Sequence, residues 1–386
     1  MGGFMKNTFN KFLTSFLITL IVLLVLVLIF AMVPGLKGFL AKGVGKLTGQ
    51  PEDQIYDNIE DIAERINQEI ASGKDGEIEL YVSNDVSKDD LTKVYYVVDS
   101  MKGEIKTITT YTYNYKDYKS VTFDFAKSDA MYAYESIVEH KCIPEDKYRA
   151  RELEDVCRKF LDEKISSAMS DYDKELAVHD YIVENCEYGF SLKHDDSEFN
   201  AYGCLVNKKA VCSGYAAATN LLLMCCGVEC KIVTGEARDI YAENSETERH
   251  AWNQVNVDGT WYNLDTTWDD PVGGKSMILH EYFNINDDIM DDTHTWDKKE
   301  FEKCDSMQAN YYYMKGAYIS DTTTLENYIG NEIQAQGAQD IEVALNGLTV
   351  NDDTLQFIFN YEGVNNISYS MTGASDYSIL SVYINQ

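Results

Sequence analysis

The chain has 386 residues, 45% of them hydrophobic, with 28 Tyr and only 4 Pro. That is the composition of a folded protein long enough for two or three structural units, and it excludes a disordered chain. The formal net charge is −31; such a surface is soluble and repels a phosphate backbone, which sets the chain against nucleic acid as a partner.

The charge is unevenly spread. Residues 1–50 hold five Lys (Lys6, Lys11, Lys37, Lys42, Lys46) and no acid. Within them Leu13 to Gly35 is uncharged and dense in Leu, Ile, Val and Phe. A helix needs roughly 20 apolar residues to cross a bilayer. A cleaved secretory signal would have a shorter apolar region, about 7–15 residues, ending in small residues. Ala31-Met32-Val33-Pro34 is a poor cleavage site. The expectation is a short cytoplasmic N-terminus (1–11), a transmembrane signal anchor (12–34) and a linker (35–54). The chain would then be a single-pass cell-membrane protein with its C-terminal bulk extracellular. Gly43-Val44-Gly45-Lys46 shares residues with a phosphate loop, but it follows an apolar span instead of a strand, and that reading is set aside.

Residues 55–145 read as a small N-terminal α/β module. Ile55, Ile59, Ile62 and Ile66 fall at helical spacing. Glu79 to Val82 reads as a strand, a helix opens at Val86 to Asp90, and Ile105 to Tyr115 and Ser120 to Phe125 are Thr/Tyr/Val-rich strands. Residues 146–315 begin with two amphipathic helices, Arg149 to Ser167 and Asp171 to Cys186; His179 on the second reads as a packing or surface histidine. Residues 316–386 read as a small accessory module, with a helix at Thr322 to Gln336 and strands at Leu355 to Tyr361 and Tyr377 to Ile384.

The chemistry-bearing residues lie between these ends. Ala210-Val211-Cys212-Ser213-Gly214-Tyr215-Ala216 opens an apolar helix that stops at Gly227, which puts Cys212 in the first turn. Unpaired amides and the helix dipole favour negative charge there, and the same amides point to where an oxyanion would form. By itself, a Cys opening an apolar helix is most often a core residue. Further on, His250 to Val257, then Asp258-Gly259, then Thr260 to Asp265 read as a β-hairpin with a two-residue turn. With Val257 opposite Thr260, Asp265 falls opposite Trp252, and His250 lies two residues further along the same face. His250 and Asp265 are then diagonal neighbours, about 7–8 Å apart between backbones. A thiol at a helix start with a His–Asp pair on adjacent strands is the arrangement of an activated nucleophile.

These runs, together with Gly235-Glu236-Ala237, His250-Ala251-Trp252-Asn253, Trp261 to Pro271 and the trailing His280-Glu281-Tyr282-Phe283-Asn284, closely resemble the transglutaminase-like superfamily. The likeness is strongest to its bacterial extracytoplasmic, membrane-anchored branch and covers about residues 170–315. It implies an α+β, papain-like core in which the nucleophile helix packs on an antiparallel sheet. It also implies Cys–His–Asp catalysis, with Cys212, His250 and Asp265 on the family's triad positions and no cofactor or metal. The expected activity is acyl transfer through an acyl-enzyme on Cys212, acting on protein or peptide amides at the cell surface or envelope as a transamidase or a peptidase. The alternative is a catalytically silent surface scaffold that keeps the fold. Tyr202, ten residues before the thiol, is a candidate oxyanion donor, with packing as the equal alternative. Trp252, Trp261 and Trp268 are candidates for lining a substrate groove, Trp252 and Trp268 foremost, with simple hairpin packing favoured for at least two of the three.

Other suggestive residues carry less. No C-x-x-C pair occurs among the nine Cys, so zinc-ribbon and thioredoxin readings fail. Cys225, Cys226 and Cys230 suit core packing or one disulfide. His280-Glu281 would begin a metalloprotease helix, but position 284 is Asn. Asp287-Asp288 and Asp291-Asp292 lack the spacing of a calcium loop and read as solvated.

Overall fold

A computed structural model describes residues 54–385 of the protein, apart from 73, 99–101, 113–116, 191–195, 240–245, 271–277 and 375. The expected anchor at 12–34 and nearly all of its flanking segments lie outside the described residues. Among the described residues no helix is long and apolar enough to cross a membrane.

The isoleucine spacing holds from Ile59 onward, whereas Ile55, expected on the same helix, lies in a two-residue strand with Tyr56 and is exposed. Helix α1 (Ile59–Ala71) is capped by the Asn58 side chain, which accepts from the Asp61 amide, and it buries Ile59, Ile62 and Ile66. Strands β1 (Gly76–Ser83), β2 (Gly103–Thr112) and β3 (Tyr118–Lys127) form an antiparallel set with β3 in the middle. Helix α2 (Lys88–Val97) joins β1 to β2 and starts with a Ser87/Asp90 capping box. Ile62, Ile66, Val82, Val94, Val121 and Phe123 meet in one fully buried core.

Three helices follow. Helix α3 (Asp129–Val138), capped by Ser128, is an addition to the sequence reading. Helices α4 (Tyr148–Lys164) and α5 (Asp171–Asn185) fall where expected. Helix α6 (Cys212–Cys225) is apolar all round, and every residue from Cys212 to Leu223 is buried; a helix of that composition has to sit inside a core. It packs on a five-stranded antiparallel sheet of β4 (Cys230–Ala237), β5 (Glu248–Val257), β6 (Thr260–Leu264), β7 (Phe283–Ile285) and β8 (His294–Thr295), in the order β7-β6-β5-β4-β8. The fold is α+β.

The sheet is buried on both faces. Val255, Val257, Tyr262, Leu264 and Phe283 share a core with Leu221 and Leu222 of α6. Val233, Trp252 and Ile285 instead share a core with the C-terminal segment. That segment contributes Ile329 from α7 (Thr322–Asn331), Val343 from β9 (Asp340–Asn346), and Leu380 and Val382 from β11 (Tyr377–Asn385). Strand β11 lies between β9 and β10 (Asn366–Ala374) and is antiparallel to both. The C-terminal segment therefore shares the sheet's core.

One expectation is corrected here. Leu355 to Tyr361 is not a strand: residues Asp352–Leu355 are helical and continue into a 3-10 turn at Gln356–Asn360. Asn351 and Thr354 form a reciprocal cap just upstream, with Asp352 and Asp353 in the first turn. Those start signals outweigh the β-favouring Phe-Ile-Phe that follows. All nine cysteines are free thiols, so the Cys225, Cys226 and Cys230 cluster is packing.

Candidate active site

The hairpin forms in the register the sequence predicts. Val257 pairs with Thr260 and Asn253 with Leu264. Asp258 and Gly259 both take positive φ, 51° and 87°, the mirror-image turn whose twist suits a hairpin. Asp265 follows the last paired residue of β6, and its side chain closes the diagonal. His250 Nε2 lies 2.6 Å from Asp265 Oδ2. The Asp265 Oδ1 accepts the amides of Thr267 and Trp268 at 2.9 and 3.2 Å, and Oδ2 also meets His294 Nε2 at 3.2 Å. The carboxylate is thus held on four sides with no exposed surface.

Burial disfavours the charged form of both partners, and their mutual attraction overrides it. Against burial, the Asp265 carboxylate and then Cys212 raise His250 to about 10. Against the same penalty, His250 and then His294 hold Asp265 well below the usual carboxylate range. The contact with Asp265 therefore favours the charged form of the His250 ring once it takes up a proton. Since Nε2 faces Asp265, Nδ1 is the ring nitrogen left for other chemistry.

Cys212 is the first residue of α6 and is 3% exposed. It packs with Ala216 of its own helix and Ala251 of β5, and its side chain interacts with that of His250. Helix and strand are tied by Asn253, whose Nδ2 donates to the Ala216 carbonyl at 3.0 Å, and by the Thr219–Thr266 hydroxyl pair at 3.0 Å. The N-cap residue, Val211, supplies no side-chain cap, so no side chain of its own competes for the first-turn amides. Gly214 is required by close packing: a Cβ there would lie 2.5 Å from the Glu198 carbonyl oxygen and 2.7 Å from the Ala210 Cβ. Its bareness lets the preceding loop pack under the helix start.

The remaining candidates divide. Tyr202 does not join the site: its hydroxyl donates to the Glu152 carboxylate and its ring lies under the Arg149 guanidinium at 4.2 Å. The charged pair on α4 captures the hydroxyl, so the oxyanion reading is replaced by packing. Trp252 is 1% exposed and stacks beside His250 with ring centroids 6.1 Å apart; it is core beneath the histidine, not the wall of a groove, because its strand face is covered by the C-terminal segment. Trp268 is half-buried and its ring lies 5.6 Å from the His250 ring. Trp261 packs under the Lys231 ammonium at 4.6 Å.

Three residues escaped the sequence reading. His294 comes to Asp265 from β8, a two-residue strand with no periodic signal. His179 and His280 meet at Asp180 Oδ1, each at 2.9 Å, and His179 Nε2 lies 3.1 Å from Asp269 Oδ2. Against burial, those two carboxylates raise His179 to about 9, so it is a charged clamp between α5 and the segment after β6. His280 stacks flat on Tyr311 at 3.6 Å. The donor atoms of His179, Asp180 and His280, and those of His250, Asp265 and His294, lie close enough in each set to hold a metal ion. Asp287, expected in solvent, accepts from Asn263 Nδ2 at 2.9 Å and from the Cys304 amide at 3.2 Å.

A thiol at a helix start thus faces a histidine–aspartate pair on an adjacent hairpin. Residues 158–266 match the family model of the transglutaminase-like superfamily. The chain is similar to the Kyphoscoliosis peptidase of Homo sapiens, 26% identical over 158 residues covering 37% of this chain and 24% of that protein. The Mus musculus protein of the same name is 25% identical over 150 residues, covering 36% and 23%. The chain thus spans about a quarter of the length of these relatives. Among solved structures, a TGase crystal structure aligns at 12% identity over 58% of this chain and 56% of that one, with a TM-score of 0.26. Calcium-bound Legionella pneumophila LapG aligns at 12% identity over 47% and 98%, with a TM-score of 0.25. Superpositions that loose carry no argument about chemistry.

Proposed function

We propose that the chain is a thiol-dependent acyltransferase acting on protein or peptide amides. Cys212 attacks the amide carbonyl while His250 takes the thiol proton. As the C–N bond breaks, that proton passes to the departing amine and a thioester remains on Cys212. A second amine or a water then takes the acyl group, giving a new amide or a free acid and restoring the thiol. Asp265 orients the imidazole and favours its charged form. The single observation that carries this reading is the 2.6 Å His250–Asp265 contact on a hairpin that also brings the His250 side chain to Cys212. The match of residues 158–266 to the superfamily's family model supports it, as does similarity to proteins named peptidases. In this reading the apolar run at 12–34 holds the domain outside the cell membrane, among protein or peptide substrates of the envelope.

The test is alkylation of the full chain with iodoacetamide, read at Cys212 by peptide mass spectrometry. Cys212 is expected to react at least about tenfold faster than in His250→Ala, the factor carried by about 1.4 kcal/mol. Equal rates would sink the reading and leave a silent scaffold. Incubation with a glutamine peptide, with and without an amine donor, then separates the outcomes: a new amide marks transamidation, and a free acid alone marks hydrolysis.

A further inference from the structure

His294 stands outside the three residues assigned to the reaction, yet it shares an oxygen with one of them. Its Nε2 is 3.2 Å from Asp265 Oδ2, the atom that also meets His250 at 2.6 Å. Its Nδ1 is 2.8 Å from the Thr293 hydroxyl, which in turn lies 3.5 Å from the Tyr282 hydroxyl. The ring is walled by Trp268 at 4.5 Å, Trp252 at 4.9 Å and His250 at 5.3 Å between centroids, and it is 1% exposed. It has nowhere else to turn.

The protons follow from these partners. A carboxylate accepts, so His294 Nε2 carries the hydrogen; a neutral ring then has Nδ1 as an acceptor, and the Thr293 hydroxyl donates to it. A second imidazolium 5.3 Å from the first, both buried, would repel it. Burial, aided by the charge on His250, also holds His294 below the ordinary histidine range against the pull of Asp265.

Resting on the acyltransfer reading above, we propose that His294 is a positioning residue for that reaction: a neutral imidazole, locked in one tautomer by Thr293, that pins Asp265 Oδ2 toward His250. Without it Oδ2 keeps one donor, and the carboxylate is free to turn about its Oδ1 contacts. The imidazolium that forms when Cys212 loses its proton is then less well supported.

The experiment uses the full chain and the rate of iodoacetamide labelling at Cys212, with melting temperature measured alongside. His294→Phe removes the donor and keeps a ring; His294→Gln returns an N–H near the position of Nε2. His294→Phe is expected to slow labelling about tenfold, with His294→Gln recovering most of the rate at a similar melting temperature. A wild-type rate in His294→Phe overturns the proposal, and so does a His294→Gln rate as low as that of His294→Phe, which would mark a purely structural residue. Should His294→Phe fail to fold, Thr293→Val decides: slower labelling supports the tautomer lock, and an unchanged rate overturns it. If His250→Ala labels like wild type, the acyltransfer reading fails and takes this one with it; if only the His294 and Thr293 variants label like wild type, this inference alone fails.

Discussion

Asp265 holds four hydrogen-bond partners on two oxygens, and each has a separate effect. The Thr267 and Trp268 amides fix the plane of the carboxylate, and the two histidines use the edge that is left. Asp265→Asn would present an amide N–H or a weaker acceptor to His250 Nε2 and force a change of tautomer. Labelling of Cys212 in Asp265→Asn is expected to fall by at least about tenfold with the chain still folded; a near wild-type rate would remove Asp265 from its assigned role. The pair also sets a pH window. His250, raised to about 10, contributes stability that is full below the ordinary histidine value and lost as pH rises through its raised one. Asp265, depressed, contributes stability that is present above the ordinary carboxylate value and lost as pH falls through its own. Both contributions are present around neutrality.

At the scale of elements, local rules account for most of what the sequence disclosed. The His250–Asp265 pairing was legible because a two-residue Asp-Gly turn leaves one register, and period-two alternation then fixes the face. Helices α1, α2 and α5 were legible from caps and apolar spacing. Strand β8 was not: two residues carry no period, and only tertiary pairing with Ala237 and Glu236 makes it a strand. The purpose of Gly214 was hidden for the same reason, since its neighbours Glu198 and Asn200 come from a loop that folds under α6. Gly214→Ala forces a Cβ to within 2.5 Å of a backbone oxygen, and overpacking of that kind costs about 1–3 kcal/mol. Its melting temperature is expected to drop by several degrees and its Cys212 labelling to slow, because the loop can relieve the clash only by displacing the helix start. Unchanged melting and labelling would show that the loop yields freely.

For the molecule as a whole, acidity and burial combine. Burial, opposed by local hydrogen bonds and by the charges of His179 (on Asp269 and Glu175) and Lys315 (on Glu342), pushes Asp269 to about 6, Glu281 and Glu342 to about 7, and Glu175 to about 8. All four folded values lie above the unfolded ones, so each adds stability that is present in acid and lost as pH rises through its folded value. His280, lowered to about 4, and His294, also lowered, act oppositely, but their contributions are complete above the ordinary histidine value. The net charge of −31 adds self-repulsion with the same sign as the carboxyls. Melting temperature is therefore expected to fall by several degrees between about pH 6.5 and about pH 8.5. A scanning-fluorimetry series across that range checks it; a flat or rising curve would show that these carboxyls ionise in the folded chain at little cost. Glu281 and Glu342 sit between the sheet and the C-terminal segment, where Thr372 and Tyr312 donate to them at 2.7 Å each, so that junction is the first place for alkali to loosen.

The Asp258-Gly259 turn has a consequence in time. His250 and Asp265 are 15 residues apart and joined by a turn that prefers its native shape, so they can meet at hairpin speed, about 1–10 μs. The tie between Asn253 and Ala216 spans 37 residues, and His294 enters from further along the chain. The acid–base pair is then the early, autonomous part of the site, and the thiol is delivered to it last. During folding the hairpin would then bring His250 to Asp265 before Cys212 reaches either of them.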